Sequence, residues 1–264
     1  MSIRLLALDI DGTLTNQLHE VSDENTTAIR RACNAGVFVT IATGRGRLAS
    51  TCIADALRIH GPVVHYGGAW IVDTPGGETL KVFPLEPDVV HQVLLIAREL
   101  KTTAQIYQED LVLVEYANSF STRYVEKFRL PLCLEPHALD KTFRDVPKML
   151  LLTTEDREEE VMNACAEMLG SSAEVSRSQR GFIEINCVGV NKATGLVYVA
   201  EMLDIMREEI AAIGDSYLDM EMMRWAGIGA CVENGVEAAR DCADVIIPSC
   251  DDNGVARFIE QYIL

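Results

Sequence analysis

The chain is short of positive charge. Its 264 residues carry 23 Lys+Arg against 40 Asp+Glu, a formal net charge of −17. Such a field argues against nucleic acid, or an anionic membrane surface, as the main partner. Long apolar runs are also missing, and no stretch approaches the ~18 residues that span a bilayer. Asp9 cuts off the early run Leu5-Leu6-Ala7-Leu8 too soon for a signal peptide, so the expected location is cytoplasmic. Eight cysteines are present without a Cys-x-x-Cys pair among them, so zinc-ligand spacing is absent and a disulfide framework has no support. Buried, reduced thiols are the expectation. Internal repeats and low-complexity segments are absent too. What is there is a globular composition, 48% hydrophobic, long enough for one large domain or two modest ones.

Strand-like and helix-like segments alternate from the start. Residues 3–8 and 37–42 read as strands, and 23–35 and 46–57 as helices, with short strands at 63–66 and 70–72. This is the βαβ rhythm of a parallel, doubly wound sheet. The pattern then changes. A strand at 80–83 and a helix at 88–100 precede a hairpin at 104–116. A strand at 146–153, a helix at 157–169 and a second hairpin at 173–187 follow. Hairpins separated by helices point to an α+β insert with an antiparallel sheet at 85–186. From Asn191 the α/β rhythm returns and runs to the last helix, 254–262. The expected division is therefore a core in two parts, 1–84 and 187–264, interrupted by the insert.

Four loops carry candidate chemistry. In Leu8-Asp9-Ile10-Asp11-Gly12-Thr13, residues two apart on a strand point the same way, so Asp9 and Asp11 would stand side by side at a strand tip. Like charges there call for a cation, and a carboxylate pair suits Mg²⁺. A plain Asp-Gly turn is the competing reading. In Ala42-Thr43-Gly44-Arg45, the Thr43 hydroxyl and the Gly44 amide form a seat for a phosphoryl oxygen. Lys192 opens a helix, where the dipole disfavours a decorative cation, and it could neutralise the two acids and an incoming phosphate; a solvated lysine competes. In Gly214-Asp215-Ser216-Tyr217-Leu218-Asp219, Asp215 could be a metal ligand or a helix N-cap, with Asp219 behind it. Three of the four loops follow strands at their carboxyl ends, where open α/β sheets bind ligands.

The ordered set D-I-D-G-T, A-T-G-R, G-V-N-K and G-D-x-x-x-D resembles the Cof-type phosphatases of the haloacid dehalogenase superfamily, over essentially the whole chain. The resemblance implies a Rossmann-like core of doubly wound, mostly parallel sheet with an inserted α+β cap domain that closes over the substrate. It implies a phosphoric monoester hydrolase acting on a small phosphorylated metabolite. Asp9 would be the nucleophile that forms an aspartyl-phosphate, and Asp11 the acid and then base. Mg²⁺ would sit on the Asp9 and Asp215 carboxylates and the Asp11 main-chain carbonyl. Ile10, Thr43, Gly44 and Lys192 would hold the phosphoryl group, with Asp219 supporting the metal site.

The match has two departures. Leu218 stands where the family carries Asn, and Gly67-Gly68-Ala69 stands where it carries N-G-A, so two amide contacts are lost. Asn234 and Arg45 are the expected further substrate contacts. Arg123, Arg177 and Arg180 are candidates for substrate selection and equally for surface charge. A phosphomutase of related fold and a non-catalytic metabolite-binding relative are the alternative functions. Oligomeric state is not encoded in any of these features.

Overall fold

A computed structural model describes residues 2–264. The chain forms β1 (Leu5–Leu8), α1 (Asp23–Asn34), β2 (Phe38–Ile41), α2 (Arg47–Leu57), β3 (Gly61–His65), β4 (Trp70–Thr74) and β5 (Thr79–Val82). There follow α3 (Pro87–Glu99), β6 (Thr103–Gln108), β7 (Leu111–Val114), α4 (Ser119–Phe128), β8 (Leu132–Leu134), β9 (Lys148–Leu152), α5 (Glu158–Leu169), β10 (Glu174–Gln179) and β11 (Phe182–Asn186). The last stretch holds α6 (Lys192–Met202), β12 (Ile210–Gly214), α7 (Met220–Trp225), β13 (Ile228–Val232), α8 (Glu237–Cys242), β14 (Val245–Ile247) and α9 (Gly254–Tyr262).

Two compact units result. One takes in residues 2–45, Ser50–Lys81 and Asn191–Leu264; the other takes in Gly46–Ala49 and Val82–Val190.

The first unit is built on a five-stranded parallel sheet in the order β14-β13-β12-β1-β2. All four residues of β1 are buried, as its unbroken apolar run requires of a strand covered on both faces. Leu6, Leu8, Val39, Ile41, Ile213 and Val232 from this sheet share one core with Ile29 of α1 and Phe258 of α9. Burying each such side chain contributes about 1.5–3 kcal/mol. The parallel rhythm does not extend to the strands after α2. β3 and β4 pair antiparallel and, with β5, make a separate three-stranded sheet. Only residues 66–69 separate β3 from β4, far short of the dozen or more that a parallel crossover needs. A single parallel bridge, Ala42 to Val64, ties β3 to the end of β2.

The second unit is α+β. Its six strands run in the order β10-β11-β9-β6-β7-β8, and α3 and α5 supply Val93, Ile96 and Val161 to the core on one face. The β6–β7, β6–β9, β9–β11 and β10–β11 pairs are antiparallel, but β8 joins β7 in parallel. No periodicity in the sequence assigns an element to residues 117–145, where α4 makes the crossover that this parallel pair needs. Arg177, its side chain 58% exposed, pairs with the buried Glu158 at 3.2 Å, and Arg180 pairs with the exposed Glu155 at 2.8 Å. No helix among the described residues is long and apolar enough to cross a membrane.

Candidate active site

The candidate residues of the first unit gather where β1, β2 and β12 end. The Asp9 N–H donates to the Ile213 carbonyl at 3.0 Å, which extends the β1–β12 ladder by one residue. The chain then turns. The Ile10 carbonyl accepts from the Leu14 and Thr15 N–H groups and from the Thr15 hydroxyl at 2.9 Å. Strand alternation therefore stops before Asp11, and the two acids part. Asp9 is buried, whereas the Asp11 side chain is 47% exposed.

The expected sharing of Lys192 between Asp9 and Asp11 is corrected accordingly. Lys192 Nζ donates to Asp9 Oδ1 and to Asp219 Oδ1, both at 2.5 Å, while Asp11 takes the guanidinium of Arg45. Lys192 is 2% exposed, which excludes a solvated surface lysine. It is the first residue of α6, and Asn191 caps that helix: its side chain accepts from the Ala193 and Thr194 N–H groups at 2.9 and 3.2 Å. This cap fixes the start of the helix and hence the origin of the lysine. Gly68 lets the loop in: its φ is +111°, and a Cβ there would lie 1.9 Å from the Asn191 carbonyl oxygen.

Asp219 is fully buried and its oxygens are occupied. Oδ2 accepts from the Asp215 N–H at 3.2 Å, the Ser216 N–H at 2.9 Å and the Ser216 hydroxyl at 2.6 Å. Asp219 is therefore a support that holds the β12 loop and Lys192 together. The helix-cap role considered for Asp215 falls instead to Ser216 and Asp219, which form the reciprocal box at that turn. Asp215 Oδ1 accepts from the Thr13 hydroxyl at 3.3 Å. Gly12, at φ +80°, permits this approach, since a Cβ would come 2.6 Å from Asp215 Oδ2.

Burial pushes the Asp9 carboxyl up to about 7, against the pull of the Lys192 ammonium. Burial and the neighbouring Asp219 charge push Asp215 up to about 6, partly offset by the Thr13 hydrogen bond. Burial works against the Lys192 cation, but Asp9 and Asp219 outweigh it and its pKa rises. Asp9, Asp215 and Asp219 each offer an oxygen within 4.8 Å of the others. Asp9 Oδ2 is buried with no hydrogen-bond partner among the described residues.

At the β2 end, the Thr43 hydroxyl accepts from the Arg45 N–H at 3.1 Å, which leaves its own hydrogen to donate. Gly44 is exposed and open, with nothing within 4 Å of where a Cβ would stand. The two expected substrate contacts are engaged inside the protein. Arg45 holds Asp11, and Asn234 staples two loops, donating to the Gly12 carbonyl at 2.7 Å and accepting from the Cys250 N–H at 2.8 Å. Leu218 is 60% exposed, and Gly67 has open space around it at φ +64°. Sequence reasoning missed the support given by Thr13, Asn191 and Ser216. Each lies inside or beside a quoted motif, and Ser216 three residues before Asp219 is a readable capping pattern.

Buried carboxylates, one lysine and a Thr-Gly turn thus gather at the carboxyl edge of a parallel sheet, the edge at which open α/β folds bind their ligands. The family follows from comparison. A family model described as haloacid dehalogenase-like hydrolase matches residues 6–259, and the chain belongs to that family. Similar proteins include the 5-amino-6-(5-phospho-D-ribitylamino)uracil phosphatases YcsE and YitU of Bacillus subtilis (strain 168). Each is 28% identical, over 100% and 98% of this chain and 97% of either relative. A solved haloacid dehalogenase-like hydrolase from Bacteroides thetaiotaomicron has a TM-score of 0.88 at 27% identity, covering 98% of this chain and 99% of that one. The expectations of family, of an α/β core with a further α+β unit, and of a phosphoric monoester hydrolase are met.

Proposed function

We propose that the protein is a Mg²⁺-dependent phosphatase that hydrolyses small, sugar-phosphate-like monoesters through an aspartyl-phosphate on Asp9. The observation that carries this reading is the state of the Asp9 carboxylate: Oδ1 is held by Lys192, and Oδ2 is buried with no partner among the described residues. A buried, unpartnered carboxylate oxygen is costly unless a cation or a reaction uses it. Asp9, Asp215 and Asp219 bring three negative charges against one Lys192, and hard oxygen donors with excess negative charge fit Mg²⁺. The Asp9 and Asp215 carboxylates and the Asp11 main-chain carbonyl would hold the ion. When bound, it would neutralise charge on the phosphoryl oxygens and keep Asp9 ionised.

The chain's own residues do the rest. Lys192 has three N–H donors and uses two on Asp9 and Asp219, which leaves one for a phosphoryl oxygen. The Thr43 hydroxyl and the Gly44 and Ile10 amides supply further donors for that group. Asp9 attacks phosphorus as the bond to the alcohol oxygen breaks, and Asp11 passes a proton to that oxygen. Asp11 then takes a proton from water, whose oxygen attacks the aspartyl-phosphate and releases inorganic phosphate and free Asp9. The relatives named as 5-amino-6-(5-phospho-D-ribitylamino)uracil phosphatases support a phosphorylated polyol as one substrate class to try.

The test is turnover of p-nitrophenyl phosphate and a panel of sugar, polyol and nucleotide phosphates, with Mg²⁺ or EDTA, beside Asp9→Asn. Hydrolysis that needs Mg²⁺ and disappears in Asp9→Asn is expected. Full activity in EDTA, or in the variant, would overturn the reading.

A further inference from the structure

Asp11 lies three residues beyond β1 and Arg45 four beyond β2. Leu8 and Ile41 are register partners in these adjacent parallel strands, so both loops leave the same sheet edge. With its side chain 47% exposed, Asp11 is only partly held by packing. Arg45 supplies what packing does not. Its Nε donates to Asp11 Oδ2 at 2.8 Å and its Nη2 to Oδ1 at 2.5 Å, so the fork engages both oxygens and sets the plane of the carboxylate. The mount is itself fixed. The Arg45 N–H donates to the Thr43 hydroxyl at 3.1 Å, and its carbonyl accepts from the Tyr66 N–H at 3.1 Å. His19 Nδ1 also approaches Asp11 Oδ1, but at 3.9 Å and with its side chain 77% exposed it holds nothing in place. Each carboxylate oxygen keeps a second lone-pair direction that the fork leaves open.

We propose that Arg45 is a positioning residue for Asp11: it aims the carboxylate at the departing alcohol oxygen and does not bind the phosphoryl group. This rests on the phosphatase reading above. In the step concerned, the bond from Asp9 to phosphorus forms, the bond from phosphorus to the alcohol oxygen breaks, and the proton on Asp11 moves to that oxygen. A p-nitrophenolate leaves without a proton, whereas an alkoxide does not. The role therefore has a signature in kcat/KM, which reports the steps through alcohol departure.

The experiment compares β-glycerol phosphate with p-nitrophenyl phosphate, in saturating Mg²⁺, for the parent, Arg45→Ala, Asp11→Asn and the double variant. Arg45→Ala should lower kcat/KM about 100-fold on the alkyl ester, the scale of a mispositioned catalytic group. On the nitrophenyl ester the loss should stay below about fivefold. Added to Asp11→Asn, it should cost nothing further on the alkyl ester, because two residues acting through one step are not additive. Equal losses on both esters would overturn the proposal, since they share only the phosphoryl group. So would a full further loss in the Asp11→Asn background. A parent that hydrolyses neither ester removes the phosphatase reading and Arg45's role with it; a parent that turns over normally while these patterns fail removes the role alone.

Discussion

At the residue scale, three carboxylates share one ammonium, and the formal sum of Asp9, Asp215, Asp219 and Lys192 is −2. Removing the ammonium takes from the buried Asp9 carboxylate its only cation contact among the described residues. It also leaves Asp219 Oδ1 without its donor, although Asp219 Oδ2 keeps its three hydrogen bonds. Lys192→Met should therefore lower stability by about 3 kcal/mol, read by urea unfolding, and abolish turnover. The acids also predict a coupling of metal to pH. Asp9 is raised to about 7 and Asp215 to about 6, so the metal-free fold keeps protons that the unfolded chain releases near pH 4. More protons bound in the folded state means that stability falls as pH rises through that window. Mg²⁺ displaces those protons, so its binding weakens as pH falls. The rise in melting temperature on adding Mg²⁺ should be larger at about pH 8 than at about pH 5.5. An equal rise at both would show that neither acid competes for the ion. The acids, the lysine and the Thr-Gly seat were legible in the sequence as motifs. Their pairing was not. The contact of Arg45 with Asp11, 34 residues apart, depends on where β1 gives way to a turn, and no spacing rule encodes that.

At the element scale, the site depends on one close approach. Gly68, at φ +111°, lets the Asn191 carbonyl lie where a Cβ would be, and Lys192 is the next residue. Gly68→Ala must push this loop away and adopt a backbone conformation that L residues resist. It should cost more than about 2 kcal/mol and most of the activity, whereas Asn191→Ala, which removes only the cap, should cost about 1 kcal/mol. Similar melting temperatures for the two variants would contradict this ranking. The strands of the parallel sheet were readable because a strand buried on both faces is an apolar run, as in Leu5–Leu8 and Ile210–Gly214. At β3 and β4 the apolar pattern carries no pairing direction; the four-residue link between them sets it as antiparallel. The helix α4 gives little periodic signal because its ten residues, SFSTRYVEKF, mix hydroxyls and charges with few apolar side chains. Its start signal was present: Asn118 and Ser121 form a reciprocal cap.

At the scale of the whole molecule, a net charge of −17 faces an anionic substrate. A single Mg²⁺ changes the total only to −15, so attraction must be local. The long-range part should slow the encounter with a dianionic ester, and salt should relieve it over a Debye length of about 10 Å at 0.1 M. Raising ionic strength at saturating Mg²⁺ should therefore raise kcat/KM, opposite to the behaviour of an electrostatically attractive surface. A fall with salt would show that the local cations dominate at range. All of this depends on Asp9 as the atom that takes the phosphoryl group. The most direct measurement is acid-quenched turnover in Mg²⁺, followed by mass spectrometry of the peptide that contains Asp9. The account predicts one hydroxylamine-labile phosphoryl group on Asp9, absent in EDTA and in Asp9→Asn. A phosphoryl group trapped on another residue, or steady turnover by Asp9→Asn, would contradict it.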